Sequence, residues 1–392
     1  MIPKIPTPAT SEGSPISPVG SIKPVDNLRV YTKKEIADMT SEQMSVAIGK
    51  IKEAKMLVEE QRLKAEGLAK SIAPLGGMAI SNRANSDPNL SPSTPEHSPT
   101  IAEQYAQQLD TLKAIGLLDS TGSYVHTYTD HAGNHKLVTY TIPTLAEISK
   151  RLENKKDLLE QKSSQGFTRL LIVPNGLPLD TYIEKLKEAT KKTATRRQVP
   201  VLDSYGKPTS KMIDEYYIPD TKGNPVIFDI SDPVHTNLIY TDRSKWTAHG
   251  APEDQYTIDT NGFTVHMIEE NLDLPREGTN TVIGNRQRIE ANKIPKYYMD
   301  LLNDTPPYQG ESGMTTQDIL TLYTQVLHTQ GVVMDNINNG VSSSSVATAS
   351  YDSTDQCVSY LYCDSYYGRW YLTKQGVGET SRVGSVRVSV RV

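Results

Sequence analysis

Apolar and polar residues recur along this 392-residue chain with two different periods. A spacing of about three to four residues is typical of an amphipathic helix, and strict alternation is typical of a strand with one buried face. The helical spacing predicts helices at 101–118, 144–163, 177–192, 286–302 (broken at Pro295) and 315–330.

Alternation predicts strands in several other segments. SYVHTYT (123–129) and KLVTYTI (136–142) flank a short polar turn, which is the pattern of a β-hairpin. The continuous apolar run at 168–174 predicts a buried strand, and a further strand begins at Phe263. Beyond the Asn-, Gly- and Ser-rich break at 336–345, the pattern predicts only short strands to the end of the chain.

The last residues of the chain, SVRVSVRV, alternate strictly between valine and polar residues. Successive side chains of a strand point to opposite faces of its sheet, so one face of this strand should carry only valines. We expect Val386, Val388 and Val390 to be buried and Arg387 and Arg391 to point away from the core.

Composition divides the chain into segments of different kinds. Pro- and Ser-rich sequence predicts a disordered arm at 1–31 and a flexible linker at 71–100, with an amphipathic helix at 32–70 between them. A central α/β region at 101–225 and a C-terminal domain at 226–392 follow, so the predicted fold class is α+β. The apolar positions within 41–70 suit either packing on the same chain or self-association as a coiled coil.

Charge and composition exclude several classes of protein. The net charge of -5 and the lack of a long basic tract argue against a nucleic-acid-binding protein. No apolar run is long enough to cross a membrane, and no secretory signal pattern is visible, so we expect a cytoplasmic protein without membrane insertion. Two cysteines, Cys357 and Cys363, are too few for a disulfide framework.

Aromatic usage is strongly biased, with Tyr 21 against Phe 3 and Trp 2. A core built only for packing favours Phe, because a buried Tyr hydroxyl needs a hydrogen-bond partner. Tyr, Arg, Ser and Gly are typical of contact surfaces, and they concentrate in CVSYLYCDSYYGRWYL at 357–372. Apolar and polar residues are mixed there, with neither face predicted to be uniformly buried.

We interpret this stretch as a surface that binds a protein or another macromolecule. An aromatic-rich edge strand with cross-strand Tyr pairs is the structural alternative. The predicted ligand-binding residues are Tyr360, Tyr362, Asp364, Ser365, Tyr366, Tyr367, Arg369 and Tyr371.

Catalytic chemistry has weaker support in the sequence. His126, His131 and His135 cluster around the predicted hairpin and could bind a metal ion, although polar hairpin tips are common without one. Possible acid–base groups are His249, His266, Glu269 and Glu270. No nucleophile elbow, phosphate loop or HExxH motif accompanies them. We expect neither an enzyme nor a bound cofactor or metal, and we expect His126, His131 and His135 not to converge.

Five phrases carry a resemblance to a known family over about 103–392: QLDTLKAIGLLD, QGFTRLLIVPNGLPLDTYIEKLK, NLDLPREGTNTVIGNRQRIEANKIPKYYMDLL, ESGMTTQDILTLYTQVL and VGSVRVSVRV. Together they resemble an uncharacterised family of ultra-small, candidate-phylum bacteria. That family is similar to the target (variable) proteins of diversity-generating retroelements. This chain departs from the family's strand phrase at Asn175, where an aromatic residue is expected.

The resemblance implies a C-type-lectin-like domain at 226–392, whose ligand-binding residues are varied by error-prone reverse transcription. Adenine-directed variation of Asn codons yields mainly Tyr, Ser, Asp, Gly, Cys and Arg, so the resemblance implies that Trp370 and Lys374 are fixed scaffold. Calcium-dependent sugar binding is not implied. Two alternatives stay open: a phage-like or mobile-element structural protein whose Tyr patch packs subunits, and a metal-dependent hydrolase that uses the histidines of 126–135.

Overall fold

The computed structural model describes residues 99–129, 135–202, 207–237, 246–339, 342–379 and 384–392. The predicted arm at 1–31, the helix at 32–70 and almost all of the linker at 71–100 lie outside these residues, and so does the proposed self-association surface at 41–70. Helices and strands are interleaved throughout the described part of the chain, which confirms the α+β class at that level.

Helices occupy most of the segments in which the helical period predicts them. They are α1 (Ile101–Ala114), α2 (Leu145–Asn154), α3 (Lys156–Ser164), α4 (Leu179–Thr193), α5 (Glu253–Asp259), α6 (Pro295–Asp304) and α7 (Thr316–Gln330), with 3-10 turns at Pro306–Tyr308 and Ile337–Asn339.

The prediction of a helix from 286 was wrong, because the helix begins only at Pro295. Proline has no N–H to donate and a fixed φ that suits the first helical turn, so it starts α6 instead of interrupting a longer helix. At α7 the start is set by a capping box. The Thr315 hydroxyl accepts from the Asp318 backbone N–H at 3.1 Å, and the Asp318 carboxylate accepts from the Thr315 N–H at 2.8 Å.

Strands occur in both halves of the described chain. They are β1 (Ser123–Thr129), β2 (His135–Thr141), β3 (Phe167–Pro174), β4 (Thr195–Leu202), β5 (Pro208–Pro219), β6 (Pro225–Phe228), β7 (Val234–Thr236), β8 (Trp246–Ala248), β9 (Ala251–Pro252), β10 (Phe263–Glu269), β11 (Val282–Ile283), β12 (Arg286–Gln287), β13 (Ser312–Gly313), β14 (Ser344–Asp352), β15 (Cys357–Asp364), β16 (Arg369–Gly376), β17 (Gly384–Val386) and β18 (Val388–Arg391).

Two sheets enclose the core. The central sheet has the order β13-β18-β10-β3, and the large sheet has the order β7-β16-β15-β14-β8-β9 with β17 added beside β14. Helix α7 contacts both β3 and β14, and its residues from Thr316 to Leu327 are all buried. Because β3 pairs with β10, the central sheet joins chain segments on both sides of the predicted boundary at 225.

The C-terminal tail differs from its prediction in one respect. Val386, Val388 and Val390 are buried, as predicted, but the tail forms two strands in two sheets: β17 pairs with β14 and β18 pairs with β10. The prediction that Arg387 points away from the core was wrong, since only 5% of Arg387 is exposed, whereas Arg391 is half-buried. The tail is buried on both faces, because it crosses from the large sheet, at β17, to the central sheet, at β18.

The Arg387 guanidinium is compensated by a buried carboxylate. Its Nη2 donates to both oxygens of Asp335, at 2.8 and 2.9 Å, and its Nε donates to the Ser345 hydroxyl at 3.0 Å. The Tyr323 hydroxyl of α7 donates to the same carboxylate at 2.5 Å. A charge can be buried when it is paired and hydrogen-bonded in this way. The network connects α7, the large sheet and the tail.

Strands β4, β5 and β6 form a separate three-stranded sheet. Its far end is exposed on both faces, and Leu202, Met212 and Ile213 are 59%, 48% and 48% exposed. A hairpin without a covered apolar face has little stability of its own. The sheet is therefore anchored at β6, where Val226 and Phe228 are buried.

Candidate functional site

The predicted binding residues lie on the hairpin of β15 and β16. The two strands pair antiparallel with Tyr360 opposite Thr373, Tyr362 opposite Tyr371 and Asp364 opposite Arg369. This register continues without a bulge over the whole length of both strands. Because directly opposed residues point to the same side of a sheet, the tyrosines of the two strands share one face.

The hairpin alternates between buried and partly exposed residues. From Ser359 to Asp364, odd-numbered residues are buried and even-numbered residues are half-buried. The expectation that neither face would be uniformly buried was wrong. Ser359 and Cys363 point inward and are fully buried. Because neither is a typical large apolar residue, the sequence of the strand does not show the alternation that its burial shows.

Five tyrosines form a continuous series of ring contacts on the outer side. We call this set, Tyr360, Tyr362, Tyr371, Tyr367 and Tyr366, the tyrosine face. Successive ring centroids along it are 5.3, 5.2, 6.2 and 4.9 Å apart. The rings at the tip are the most accessible, with Tyr366 83% and Tyr367 60% exposed, and the other three are half-buried. Rings that support one another lose little freedom on binding, which suits a contact surface.

The turn at the tip is held by Asp364. Its Oδ1 accepts from the Tyr366 N–H at 2.9 Å and from the Asn338 side-chain amide at 2.6 Å. Gly368 closes the turn with a φ of 66°, and a Cβ there would lie 2.7 Å from the Ile227 carbonyl oxygen. The Asp364 carboxylate is thus engaged inside the protein, and it orients the exposed rings.

Arg369 is also engaged inside the protein. Its guanidinium lies 2.7 Å from the Asp229 carboxylate and 3.2 Å from that of Asp232. Hydrogen bonds from the Ser231 hydroxyl and from Arg369 lower the pKa of Asp229 to about 2. With both charged residues of the predicted set already paired, the accessible chemistry is aromatic rings, phenol hydroxyls and the half-buried Ser365.

Burial favours the neutral form of the two phenols at the centre of the tyrosine face, Tyr362 and Tyr371. Burial, with a smaller effect of neighbouring Tyr360, raises the pKa of Tyr362 to about 12, and burial raises that of Tyr371. A protonated phenol can both donate and accept a hydrogen bond. Tyr362 and Tyr371 therefore present apolar area and neutral hydrogen-bonding groups.

The inward side of β16 is the scaffold for this surface. Trp370 is 2% exposed, and its indole N–H donates to the Thr190 hydroxyl of α4 at 3.1 Å. Its ring packs against Tyr323 and Phe228, with centroids 4.9 and 6.1 Å away. Lys374, also expected to be scaffold, is exposed and pairs with Asp355.

Sequence reasoning missed three residues next to the tyrosine face. His235 contacts Tyr371 with ring centroids 5.2 Å apart, Asp229 holds Arg369, and Asn338 holds Asp364. His235 comes from β7, which pairs with β16 in parallel across a long stretch of sequence. Parallel partners are joined by long crossovers, so no local spacing identifies them.

The two described histidines of the β1–β2 hairpin, His126 and His135, lie in different surroundings. His126 is buried, and its Nδ1 lies 2.7 Å from the Gly176 carbonyl oxygen, whereas His135 is exposed. In the hairpin register His126 is opposite Val138 and His135 is opposite Thr129. His131 lies outside the described residues. The described pair is therefore not brought together.

The remaining acid–base candidates fall into two structural groups. His249 and His266 flank the buried Asp318, with Nε2 to carboxylate oxygen distances of 3.8 and 3.3 Å. Glu269 instead accepts from Arg286, at 2.8 Å, and from Arg288. Glu270 is exposed and accepts from Thr168. All four groups thus lie beside partners within the protein.

One cluster of described residues has metal-ligand spacing. The ligand atoms of Asp352, Asp355 and Cys357 lie within 4.8 Å of one another. However, the Asp352 carboxylate accepts from the Thr354 N–H at 2.8 Å, Asp355 pairs with Lys374, and burial raises the pKa of Cys357 to about 11. A protonated thiol is a poor metal ligand. The Asp352 carboxylate already holds the β14–β15 turn, and that of Asp355 pairs with Lys374 of β16.

Comparison with other proteins adds no relative to this description. No protein-family model, curated protein or solved structure matches the chain. Across the helices of the described ranges, none combines the length and the apolar character that a membrane span requires.

Proposed function

We propose that the chain is a non-catalytic recognition protein that binds a macromolecular ligand through its tyrosine face, with a C-type-lectin-like domain as the scaffold. The observation that carries the proposal is the separation of roles within one hairpin. Outward residues of β15 and β16 expose linked aromatic rings, while inward residues such as Leu361, Trp370 and Leu372 are buried in the core. Exposed aromatic clusters are typical of binding hot spots.

The order of elements supports the proposed fold. In a C-type-lectin-like domain, a first strand is followed by two helices and a set of short strands, and the chain end returns beside the first strand. Here β10 precedes α6 and α7, the hairpins of the large sheet follow, and β18 pairs antiparallel with β10. Met267 and Val390 lie opposite each other in that pair.

Residue types on the hairpin support a diversified surface. The outward and turn positions hold Tyr, Asp, Ser and Arg, residues that adenine-directed variation of Asn codons can produce. The inward Trp370, which such variation does not readily produce, is buried and hydrogen-bonded to Thr190. A surface whose residues vary between copies of a gene must contribute little to the free energy of folding, or many variants would unfold. Exposed positions meet this requirement, because substitutions there usually alter stability only slightly.

Sequencing of the coding locus in a natural population tests this proposal. We expect non-synonymous changes to concentrate at the outward codons 360, 362, 366, 367 and 371, with codons 361, 370 and 372 constant as an internal control. A reverse-transcriptase gene and a near-copy of the 357–372 coding segment should lie nearby. Constant outward codons in a locus that lacks both elements would refute diversification.

A specific observation favours a second candidate, an assembly protein. The far end of β4 and β5 exposes Leu202, Met212 and Ile213 on an uncovered ribbon. Exposed strands of this kind can pair with or pack against another subunit. Light scattering of the full chain distinguishes the two candidates. A defined oligomer that Met212→Ser with Ile213→Ser converts to monomer would support assembly, and an unchanged monomer would oppose it.

A further inference from the structure

A small polar cavity lies between α1, β3 and α7, away from the tyrosine face. It has a free volume of about 20 Å³ and is lined mainly by amide side chains together with Arg169. A single water molecule requires roughly 10–15 Å³ measured in this way. The cavity therefore accommodates one oxygen-sized group, and a larger ligand would extend from its mouth.

A chain of hydrogen bonds fixes the orientation of the amides at its base. The Ile172 backbone N–H donates to Gln108 Oε1 at 3.2 Å, so the Gln108 amide nitrogen must point the other way. That nitrogen donates to Gln325 Oε1 at 2.8 Å. Gln325 Nε2 is consequently left as a donor; it is buried, with Gln325 2% exposed, and finds no acceptor among the described residues. A buried donor without an acceptor is costly, so the site is short of one oxygen.

Arg169 supplies a positive charge at the same cavity. Within the described part of the chain no carboxylate lies within ion-pair distance of it. In the amide orientation that satisfies both residues, its Nη2 and Nη1 donate to the neutral Gln330 side-chain oxygen at 3.0 and 3.1 Å. Burial lowers the pKa of Arg169, and the more distant Glu270 raises it, but a guanidinium remains charged at neutral pH.

We propose that this cavity binds a carboxylate group, with one oxygen accepting from Gln325 Nε2 and the other from Arg169. Water alone would satisfy the amide and leave the guanidinium without a counter-charge. A planar carboxylate provides two acceptors and one negative charge, and guanidinium groups bind such acceptors well. The group would come from a small free acid or from the C-terminus of a peptide.

Nitrogen-15 NMR of the full chain at constant ionic strength tests the site. Sodium formate replaces sodium chloride stepwise, and the reporters are the Gln325 side-chain amide and the Ile172 backbone amide. We expect saturable shifts at both reporters. N-acetylglycine represents a chain terminus and N-acetylglycinamide is its neutral control. Binding of N-acetylglycine more tightly than formate indicates a peptide end, and the reverse order indicates a small acid. Binding of the neutral amide equal to that of the acid would overturn the proposal.

Three variants separate binding from packing. Gln325→Met keeps the length of the side chain but removes the donor, and Arg169→Met removes the charge. Each variant should weaken formate binding by at least about tenfold, measured from the chemical shift of the Ile172 backbone amide. Gln107→Met, at an exposed lining position that the proposal does not use, should leave the affinity within about twofold. Shifts that rise linearly with formate, or an affinity that Gln325→Met and Arg169→Met leave unchanged, would show an adventitious ion only.

Discussion

Tyr362 and Tyr371 stack across the β15–β16 hairpin with ring centroids 5.2 Å apart and planes inclined by only 8°. The two residues are directly opposed in the strand register, so the stack follows from the backbone pairing. Tyr360 extends it on one side and Tyr367 on the other. This pair is the centre of the tyrosine face, and Tyr366 and Tyr367 form its exposed end.

Replacement of both Tyr366 and Tyr367 by Ser should change the free energy of unfolding by no more than about 1 kcal/mol, because both rings are mainly exposed. Urea denaturation followed by circular dichroism measures the change. Asp364 is excluded from the set because its carboxylate holds the turn. A loss of several kcal/mol would mean that these rings are structural, as the packing alternative requires.

Trp370→Ala should lower the free energy of unfolding by about 3–5 kcal/mol, because it empties a buried site next to Tyr323 and Phe228. Trp370→Phe retains most of the packing and loses the hydrogen bond to Thr190, so it should cost less. Thermal melts of the two variants give the comparison. If the alanine variant were as stable as the parent, Trp370 would not be part of the scaffold that supports the tyrosine face.

Arg387→Met should destabilise the fold by about 3–5 kcal/mol, because it leaves the buried Asp335 carboxylate without its counter-charge. Arg391→Met, a change of the same type in the same strand region, should cost at most about 1 kcal/mol, because Arg391 is half-buried and closer to solvent. Chemical denaturation of both variants provides the test. Equal costs would contradict the special role of the Arg387–Asp335 pair.

Stability should fall as the pH is lowered from about 6.5, through the buried His249. Burial lowers the pKa of His249, although Asp318 opposes this effect. In the unfolded chain the imidazole binds a proton near pH 6.5, and in the folded protein it does so only at lower pH. Between these values the unfolded state binds more protons, so acidification favours unfolding.

Unfolding free energies measured between pH 5 and 8, roughly the range in which histidine titrates, test the origin of this slope. His249→Gln should flatten the pH dependence, whereas His328→Gln, at an exposed position, should leave it unchanged. If the slope persists in His249→Gln, the proton uptake belongs to another group.

Much of the scaffold could be predicted from residue periodicity. The β1–β2 hairpin, the buried strand β3 and the helix α7 all follow from local spacing, since the covered face repeats along each element. Periodicity did not predict burial correctly at positions where a polar residue is buried. Arg387 is polar by type and buried by position, because its compensating Asp335 lies far away in sequence.

Part of the candidate site was beyond sequence reasoning for a similar reason. Tyr360 to Tyr371 could be recognised by composition, but the partners that shape the surface could not. His235 reaches it through the parallel pairing of β7 with β16. Asp229 follows β6 and binds Arg369, and Asn338 lies in the 3-10 turn Ile337–Asn339 and binds Asp364. Such contacts depend on chain crossovers that leave no local pattern.

The most direct test of the central claim is a comparison of two display libraries of the full chain. One randomises the outward codons 360, 362, 366, 367 and 371, and the other randomises an equal number of inward codons, 359, 361, 363, 370 and 372. Protease resistance gives the folded fraction of each library. We predict that most outward variants stay folded and that few inward variants do, because cores tolerate fewer substitutions than surfaces. Equal collapse of both libraries would contradict a variable recognition face built on a fixed scaffold.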